Sequence, residues 1–214
     1  MHPTTPFRSL LKWIAAHALV VAIVSAINFS MSADDFNLIV LLALSGIISG
    51  FCIGTVEAWL LRSLLPKLGG WWVVTTIGTT PVGIAVGTVL LFGTANLALL
   101  NVAKTSIEES IGLGLFGFGI GAVVGVGQWG FLRRRFRHAW LWIVATTVGR
   151  SLGWAACLGL AYQLDLNKLP DSVLSTGMGM VGGTIYGSIT GLCLVWLMAY
   201  CQRERAPFQQ ATED

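Results

Sequence analysis

Six long, nearly uncharged stretches follow one another along the chain, and they limit its fold more than any other feature. A helix needs about 20 largely apolar residues to cross the hydrocarbon core of a bilayer. The stretches that meet this length are Leu11–Phe29, Phe36–Leu61, Trp71–Phe92, Ile111–Leu132, Ala139–Tyr162 and Ser175–Tyr200. We therefore predict an all-α polytopic membrane protein with six transmembrane helices. Residues 1–200 would form a single transmembrane domain, and residues 201–214 a short polar cytoplasmic tail.

The composition excludes an ordinary soluble domain. Charged residues make up 11% of the 214 residues, and the mean hydropathy is +0.75. Because a soluble domain carries roughly 25% charged residues, this chain cannot build a water-facing surface over most of its area. The lipid bilayer is thus its first expected partner. The net charge of +3 is small, and we expect no nucleic-acid partner.

The basic residues are unevenly divided between the two sides of the predicted membrane domain. Short loops rich in Lys and Arg mark the cytoplasmic side of a membrane protein. One side holds ten of the thirteen basic residues, namely Arg8, Lys12, Arg62, Lys67, Arg133, Arg134, Arg135, Arg137, Arg203 and Arg205. The other side holds only Lys104 and Lys168. Six spans with both termini in the cytoplasm satisfy this pattern.

The densest basic cluster lies between the fourth and fifth spans. It consists of Arg133, Arg134, Arg135 and Arg137. Such a cluster could bind anionic lipid headgroups, at about 1 kcal/mol per charge. Alternatively, it serves only as the strongest signal for the orientation of the chain.

An internal repeat emerges when the chain is shifted by 71 residues without a gap. The matches are Gly46, Gly50 and Gly54 with Gly117, Gly121 and Gly125, Leu61-Arg62 with Leu132-Arg133, Trp71 with Trp142, and Thr75-Thr76 with Thr146-Thr147. The repeated unit is a hairpin, in which a helix with glycine at every fourth position is followed by a helix that begins with Trp. We expect the two copies to run parallel.

A third copy of the unit is divided between the two ends of the chain. The last span carries Gly183, Gly187 and Gly191, and FRSLLKWIAA from Phe7 matches FRHAWLWIVA from Phe136. The last and first helices would then form the third hairpin of a pseudo-threefold bundle. The alternative is two real repeats with two additional helices.

The glycine ladders predict close helix packing, because Gly-x-x-x-Gly allows two backbones to approach in a membrane. The ladder residues are Gly46, Gly50, Gly54, Gly117, Gly121, Gly125, Gly183, Gly187 and Gly191. We expect the three ladder helices to line the centre of the bundle. For most of these glycines, packing is a sufficient explanation.

Polar residues on the same helix faces predict an inward polar layer. Residues three or four apart share a helix face, so Glu57, Gln128 and Thr190 follow the three ladders at equivalent positions. The Trp-led helices contribute His17, Thr75 and Thr146 at nearly the same depth. This layer is the candidate ligand site of the chain.

Arg150 stands near the middle of the fifth stretch, one turn deeper than the polar layer. A charge at mid-bilayer costs at least about 2.5–3.5 kcal/mol on insertion scales, so it should face the interior and have a partner. Glu57 is the one acidic residue inside a predicted span, which makes it the expected partner of Arg150. Such a pair could form a functional site or merely fix the helix register.

Several motifs support a resemblance to a protein family. These are the Gly ladder followed by GQW, the FLRRR turn with a following Trp, and GGTIYGSITGL near the end. Over Gly46–Leu194 the chain resembles small uncharacterised multi-spanning membrane proteins of cyanobacteria. It departs from their pattern at Glu57-Ala58, where the motif has Gln-Trp. The resemblance implies a bacterial inner (plasma) or thylakoid membrane, and it implies no activity.

The sequence contains none of the motifs that we associate with catalysis, such as HExxH, a Walker motif or paired intramembrane aspartates. We therefore expect no enzyme, no cofactor and no metal site. The favoured function is a non-catalytic interaction, assembly or accessory subunit with a membrane-protein partner or a second copy of itself. The alternative is a carrier or channel for a small solute or ion, with the polar layer around Glu57, Gln128 and Arg150 as its site.

Overall fold

A computed structural model describes residues 6–31, 37–62, 69–98, 106–163 and 169–210. These residues form six α-helices and no strand, which confirms the all-α prediction. The helices are α1 Pro6–Ser30, α2 Leu38–Arg62, α3 Gly69–Ala98, α4 Ser106–Leu132, α5 Leu141–Gln163 and α6 Asp171–Gln210. Helix α6 continues through most of the segment that we expected to be a polar tail.

Five of the helices, α1 to α4 and α6, are long and apolar enough to cross a membrane. Among the described helices, only α5 falls outside this group. Its central turns contain Thr146, Thr147, Arg150 and Ser151, and Gln163 ends it. These polar residues lower its average hydropathy. All four central ones are buried or contact a neighbouring helix: Thr146 and Ser151 bond to α4, Arg150 lies over Tyr186 of α6, and Thr147 is buried.

The six helices form a closed ring in which each packs on its two neighbours in the order α1 to α6. Neighbouring helices run antiparallel, as contacts such as Asn28–Ser49 and His17–Glu57 between α1 and α2 indicate. We call the end of the ring that holds Trp13, Trp72 and Trp142 the tryptophan end. The opposite end, where α1 ends and α2 begins, is the far end.

Glycine ladders bring three helix pairs close together. A Cβ atom added to Gly46 of α2 would lie 2.7 Å from the Cα atom of Pro81 in α3. One added to Gly121 of α4 would lie 2.5 Å from the carbonyl oxygen of Thr146 in α5, and one on Gly183 of α6 would meet the carbonyl oxygen of His17. The other six ladder glycines likewise face α3, α5 or α1.

The ladder helices line the interior of the bundle together with the other three helices. Their glycines face the neighbouring helix of each pair rather than the bundle axis, because backbone approach between two helices is what a missing side chain permits. All six helices contribute side chains to the interior. At the tryptophan end this interior is apolar and aromatic, with Leu61, Leu132 and Leu194 buried around the three indoles.

We expect Gly121→Ala to destabilise the protein by about 1–3 kcal/mol, the usual cost of overpacking. The added methyl group would meet backbone atoms of α5, which cannot move aside as a side chain can. Gly78→Ala is the matched control, because a Cβ atom at this exposed position meets nothing within 4 Å. Thermal unfolding in detergent measures both variants. Equal stability of the two would contradict the close α4–α5 approach.

Candidate functional site

The carboxyl group of Glu57 is the centre of a buried polar network. Its Oε1 atom lies 3.0 Å from the Tyr186 hydroxyl, which donates to it, and 3.3 Å from His17 Nε2. Its Oε2 atom accepts from the Trp72 indole N–H at 2.9 Å and from the Gln128 amide at 2.7 Å. Glu57 lies on α2, and its four partners lie on α1, α3, α4 and α6. One side chain therefore links five helices.

Gln128 extends the network to the remaining helix. Its Oε1 atom accepts a hydrogen bond from the Trp142 indole of α5 at 2.8 Å, and its Nε2 atom also donates to the Thr76 hydroxyl at 3.1 Å. Within α5, the Thr146 hydroxyl donates to the carbonyl oxygen of Trp142. Because a polar group without a partner is costly in a membrane interior, these mutual bonds stabilise the layer.

Three indoles make the same kind of bond in the three helix pairs. Trp13 donates to the Thr190 hydroxyl at 3.0 Å, as Trp72 donates to Glu57 and Trp142 to Gln128. The acceptors are the three residues that follow the glycine ladders. We did not predict this role for the tryptophans, since nine Trp in a membrane protein suggest interfacial positions first.

Thr75 does not occupy the place that the repeat predicts for it. Thr76 is fully buried in the network, whereas Thr75 is only half-buried, with its methyl group against Gly127 of α4. In the same way Trp72 is 0% exposed and Trp71 is 69% exposed. Glu57 and its indole donor Trp72 are 15 residues apart, whereas Gln128 and Trp142 are 14 apart, so a gapless shift of 71 assigns the wrong helix face in α3.

The expected ion pair between Glu57 and Arg150 is also wrong. The described part of the chain has no contact between them within ion-pairing distance, and the residue that approaches Glu57 instead is His17, with Nε2 3.3 Å from Oε1. Tyr186 lies between the two residues. Its hydroxyl donates to Glu57, while the guanidinium of Arg150 lies over its ring, with Cζ 4.8 Å from the centroid. Tyr186 was missed at the sequence level, although it lies one turn from Thr190 on the same helix face.

The contacts of His17 connect α1 to the network. Its Nδ1 atom lies 2.8 Å from the carbonyl oxygen of Trp13, which can only accept, so Nδ1 carries a hydrogen. Its Nε2 atom lies 3.3 Å from Glu57 Oε1, so the ring bridges the backbone of α1 and the carboxyl group of α2.

A cavity of about 440 Å³ begins where the polar layer ends. Thr80, Arg150 and Tyr186 line it next to the layer. It extends toward the far end, where it is lined by Asn28 and Phe29 in the last turn of α1. Most of the side chains between these limits are apolar. The cavity and the polar layer thus occupy successive levels of the bundle.

Three buried side-chain polar atoms have no hydrogen-bond partner in the described part of the chain. They are Nε and Nη2 of Arg150 and Oδ1 of Asn28. Native proteins leave few such atoms, and each one requires an explanation. Both residues line the same cavity, whereas every polar side chain of the layer is paired.

The arginine cluster lies outside this site. Arg133, Arg134, Arg135 and Arg137 are exposed in the turn between α4 and α5, at the tryptophan end. The guanidinium of Arg133 stacks over the ring of Trp129, with Cζ 5.0 Å from the centroid. An exposed cluster at this end is compatible with binding of lipid headgroups and with an orientation signal. Both interpretations stay predictions.

No protein-family model, no curated protein and no solved structure matches this chain. The chemistry of the site must therefore be inferred from its own residues.

We expect Trp72→Phe to destabilise the protein by roughly 1–3 kcal/mol, because it leaves a buried carboxyl oxygen short of one donor. Trp71→Phe is the matched control, with the same change one position earlier on an exposed ring. It should alter the free energy of unfolding by less than about 0.5 kcal/mol. Thermal unfolding in detergent compares the two. A larger effect at Trp71 would support the gapless repeat instead of the observed bonds.

Proposed function

We propose that this chain is a non-catalytic integral membrane protein of six spans that acts as an interaction, assembly or accessory subunit of a membrane complex. The observation that carries this proposal is the closure of the polar layer. Glu57, Gln128 and His17 are fully buried, and their polar atoms bond to one another and to neighbouring side chains. Such a layer holds helices in place and offers no free group to a reacting substrate.

The sixth span in this proposal is α5. It packs antiparallel between α4 and α6, and its polar side chains face these neighbours rather than lipid. Ser151, for example, donates to the carbonyl oxygen of Gly114 in α4 at 2.8 Å. Intramembrane polar residues that face a bundle interior are compatible with a spanning helix. The equivalent bonds of Trp13, Trp72 and Trp142 support a pseudo-threefold arrangement of three hairpins, held together by their glycine ladders.

The surface at the tryptophan end supports an interaction role. Trp59, Trp71, Trp140 and Trp196 are all exposed near this end. An aromatic belt normally marks both membrane interfaces. At the far end the one exposed Trp, Trp154, instead lines the cavity. A one-sided set of exposed indoles is what a partner-binding surface would use, since Trp is enriched in binding hot spots.

The localisation that accompanies this role is a bacterial inner (plasma) or thylakoid membrane, with the tryptophan end and both termini in the cytoplasm. The exposed arginines of the α4–α5 turn support this orientation. A second candidate function is a carrier for a small solute. The cavity beside Arg150 favours it, and the closed layer below the cavity opposes a continuous path.

Reporter fusions test the six-span topology. We expect a cytoplasmic signal from fusions at Lys67, Arg137 and the C-terminus, and an external signal from fusions at Asp34, Thr105 and Asp171. The fusions at Arg137 and Asp171 are decisive, because they flank α5. The same signal from both would show that α5 does not cross the membrane.

Affinity purification in mild detergent tests the interaction role. We expect a membrane-protein partner to co-purify with the wild-type chain and to be lost, by about tenfold or more, in the double variant Trp140→Ala/Trp196→Ala. Phe92→Ala removes a similarly exposed aromatic ring far from this end and serves as the control. Solute flux in proteoliposomes without any co-purifying protein would favour the carrier instead.

A further inference from the structure

The cavity above the polar layer combines three features that neither packing nor the proposed accessory role explains. It is large enough for a ligand, since pockets for small organic molecules run from about 300 to 1,000 Å³. It is lined by side chains from all six helices. It also holds both residues with unpartnered buried polar atoms, Arg150 and Asn28.

Arg150 brings a positive charge that makes no ion pair with any of the described residues. Glu57 is not within ion-pairing distance of it, and the Glu57 carboxyl already accepts from Tyr186, Trp72 and Gln128. The ring of Tyr186 provides a cation–π contact, which carries no opposite charge. Arg150 is therefore a cation in a membrane interior that has no carboxylate of the described residues within ion-pairing distance.

The free edge of the guanidinium limits what the counter-ion can be. Nε and Nη2 are neighbours on one edge, and their N–H groups point in parallel. Two parallel N–H donors match the two oxygens of a carboxylate in a bidentate pair. The remaining wall of the cavity is mainly apolar, with side chains such as Val24, Leu42 and Ile84. The complementary ligand has an anionic head at Arg150 and an apolar body beyond it.

We propose that this cavity binds an amphipathic organic anion, a carboxylate on an apolar body, with Arg150 as its counter-ion. Its head would accept from Nε and Nη2, and its body would extend toward the far end between Val24, Leu42 and Ile84. The ligand could be a fatty acid from the bilayer or a soluble carboxylate of shorter chain. The site is independent of the accessory role, since it uses the cavity and not the exposed surface of the tryptophan end.

Loss of the Arg150 charge should not lower the unfolding temperature of the ligand-free protein. This result distinguishes a ligand-binding role of Arg150 from a structural one. Arg150→Gln removes the cation and keeps a polar side chain. If Arg150 exists to bind a ligand, the unfolding temperature of the ligand-free variant should equal or exceed that of the wild type, since an unpaired charge has been removed. A lower unfolding temperature together with unchanged ligand binding would overturn the proposal.

The direct test measures binding of oleate, octanoate, oleyl alcohol and inorganic phosphate to the purified protein in an uncharged detergent. We expect oleate to bind and to raise the unfolding temperature, while oleyl alcohol and phosphate do neither. Octanoate separates the two sources: binding comparable to oleate indicates a soluble carboxylate, and no binding indicates a lipid. Equal binding of oleate and oleyl alcohol, or of oleate and phosphate, would overturn the proposed ligand class.

Variants locate the site. Arg150→Gln should weaken oleate binding about ten- to a hundredfold, the effect of losing a charge-assisted hydrogen-bond pair. Ser45→Phe keeps Arg150 and fills part of the cavity, and it should weaken binding as well. Arg134→Gln makes the same change at an exposed arginine outside the bundle and should bind as the wild type does. Wild-type affinity in Arg150→Gln would show that oleate binds elsewhere.

Discussion

The fold depends on one carboxyl group that accepts hydrogen bonds inside a bundle from which solvent is excluded. Glu57 is completely buried on α2, and the side chains that bond to it come from four other helices. The bond between Gln128 and Trp142 adds α5. In lipid, apolar side chains alone do not select one helix arrangement, because lipid tails contact them equally well. The polar layer supplies this selection, since any other order of helices would leave buried donors and acceptors without partners, at about 1–3 kcal/mol each.

The saturation of this layer explains the separate position of Arg150. The carboxyl group of Glu57 already has four side-chain partners, which occupy the positions around its two oxygens. Tyr186 also fills the space between them. The two intramembrane charges therefore belong to different parts of the molecule. Glu57 links the helices of the bundle, and Arg150 lines the cavity, where its charge would bind the proposed ligand.

Much of the helical framework could be predicted from the sequence, because a run of about 20 apolar residues is a strong signal in a chain with so few charges. The inward direction of Glu57, Gln128, Thr190, His17 and Thr146 also followed from helix periodicity alone. Periodicity is local, and it holds as long as the helix is continuous. It does not carry across a connection, where one additional residue turns the next helix by about 100°.

The errors have the same origin. Thr75 was assigned to the layer instead of Thr76 because the spacing from Glu57 to Trp72 is one residue longer than the spacing from Gln128 to Trp142. The partners of Glu57 and Arg150 could not be predicted because they depend on which side chain fills the gap between two helices. Tyr186 fills this gap. The indole donors were missed because Trp in a membrane sequence indicates an interface, and only packing distinguishes Trp72 from the exposed Trp71.

Hydrogen exchange of the indole N–H groups, followed by NMR in detergent, tests the closed polar layer most directly. The indoles of Trp13, Trp72 and Trp142 each donate to an acceptor in the layer, whereas Trp71 and Trp140 are exposed near the same end. The account predicts that the first three resonances persist long after transfer to D₂O and that those of Trp71 and Trp140 disappear early. Rapid exchange at Trp72, or protection of Trp71 in its place, would contradict it.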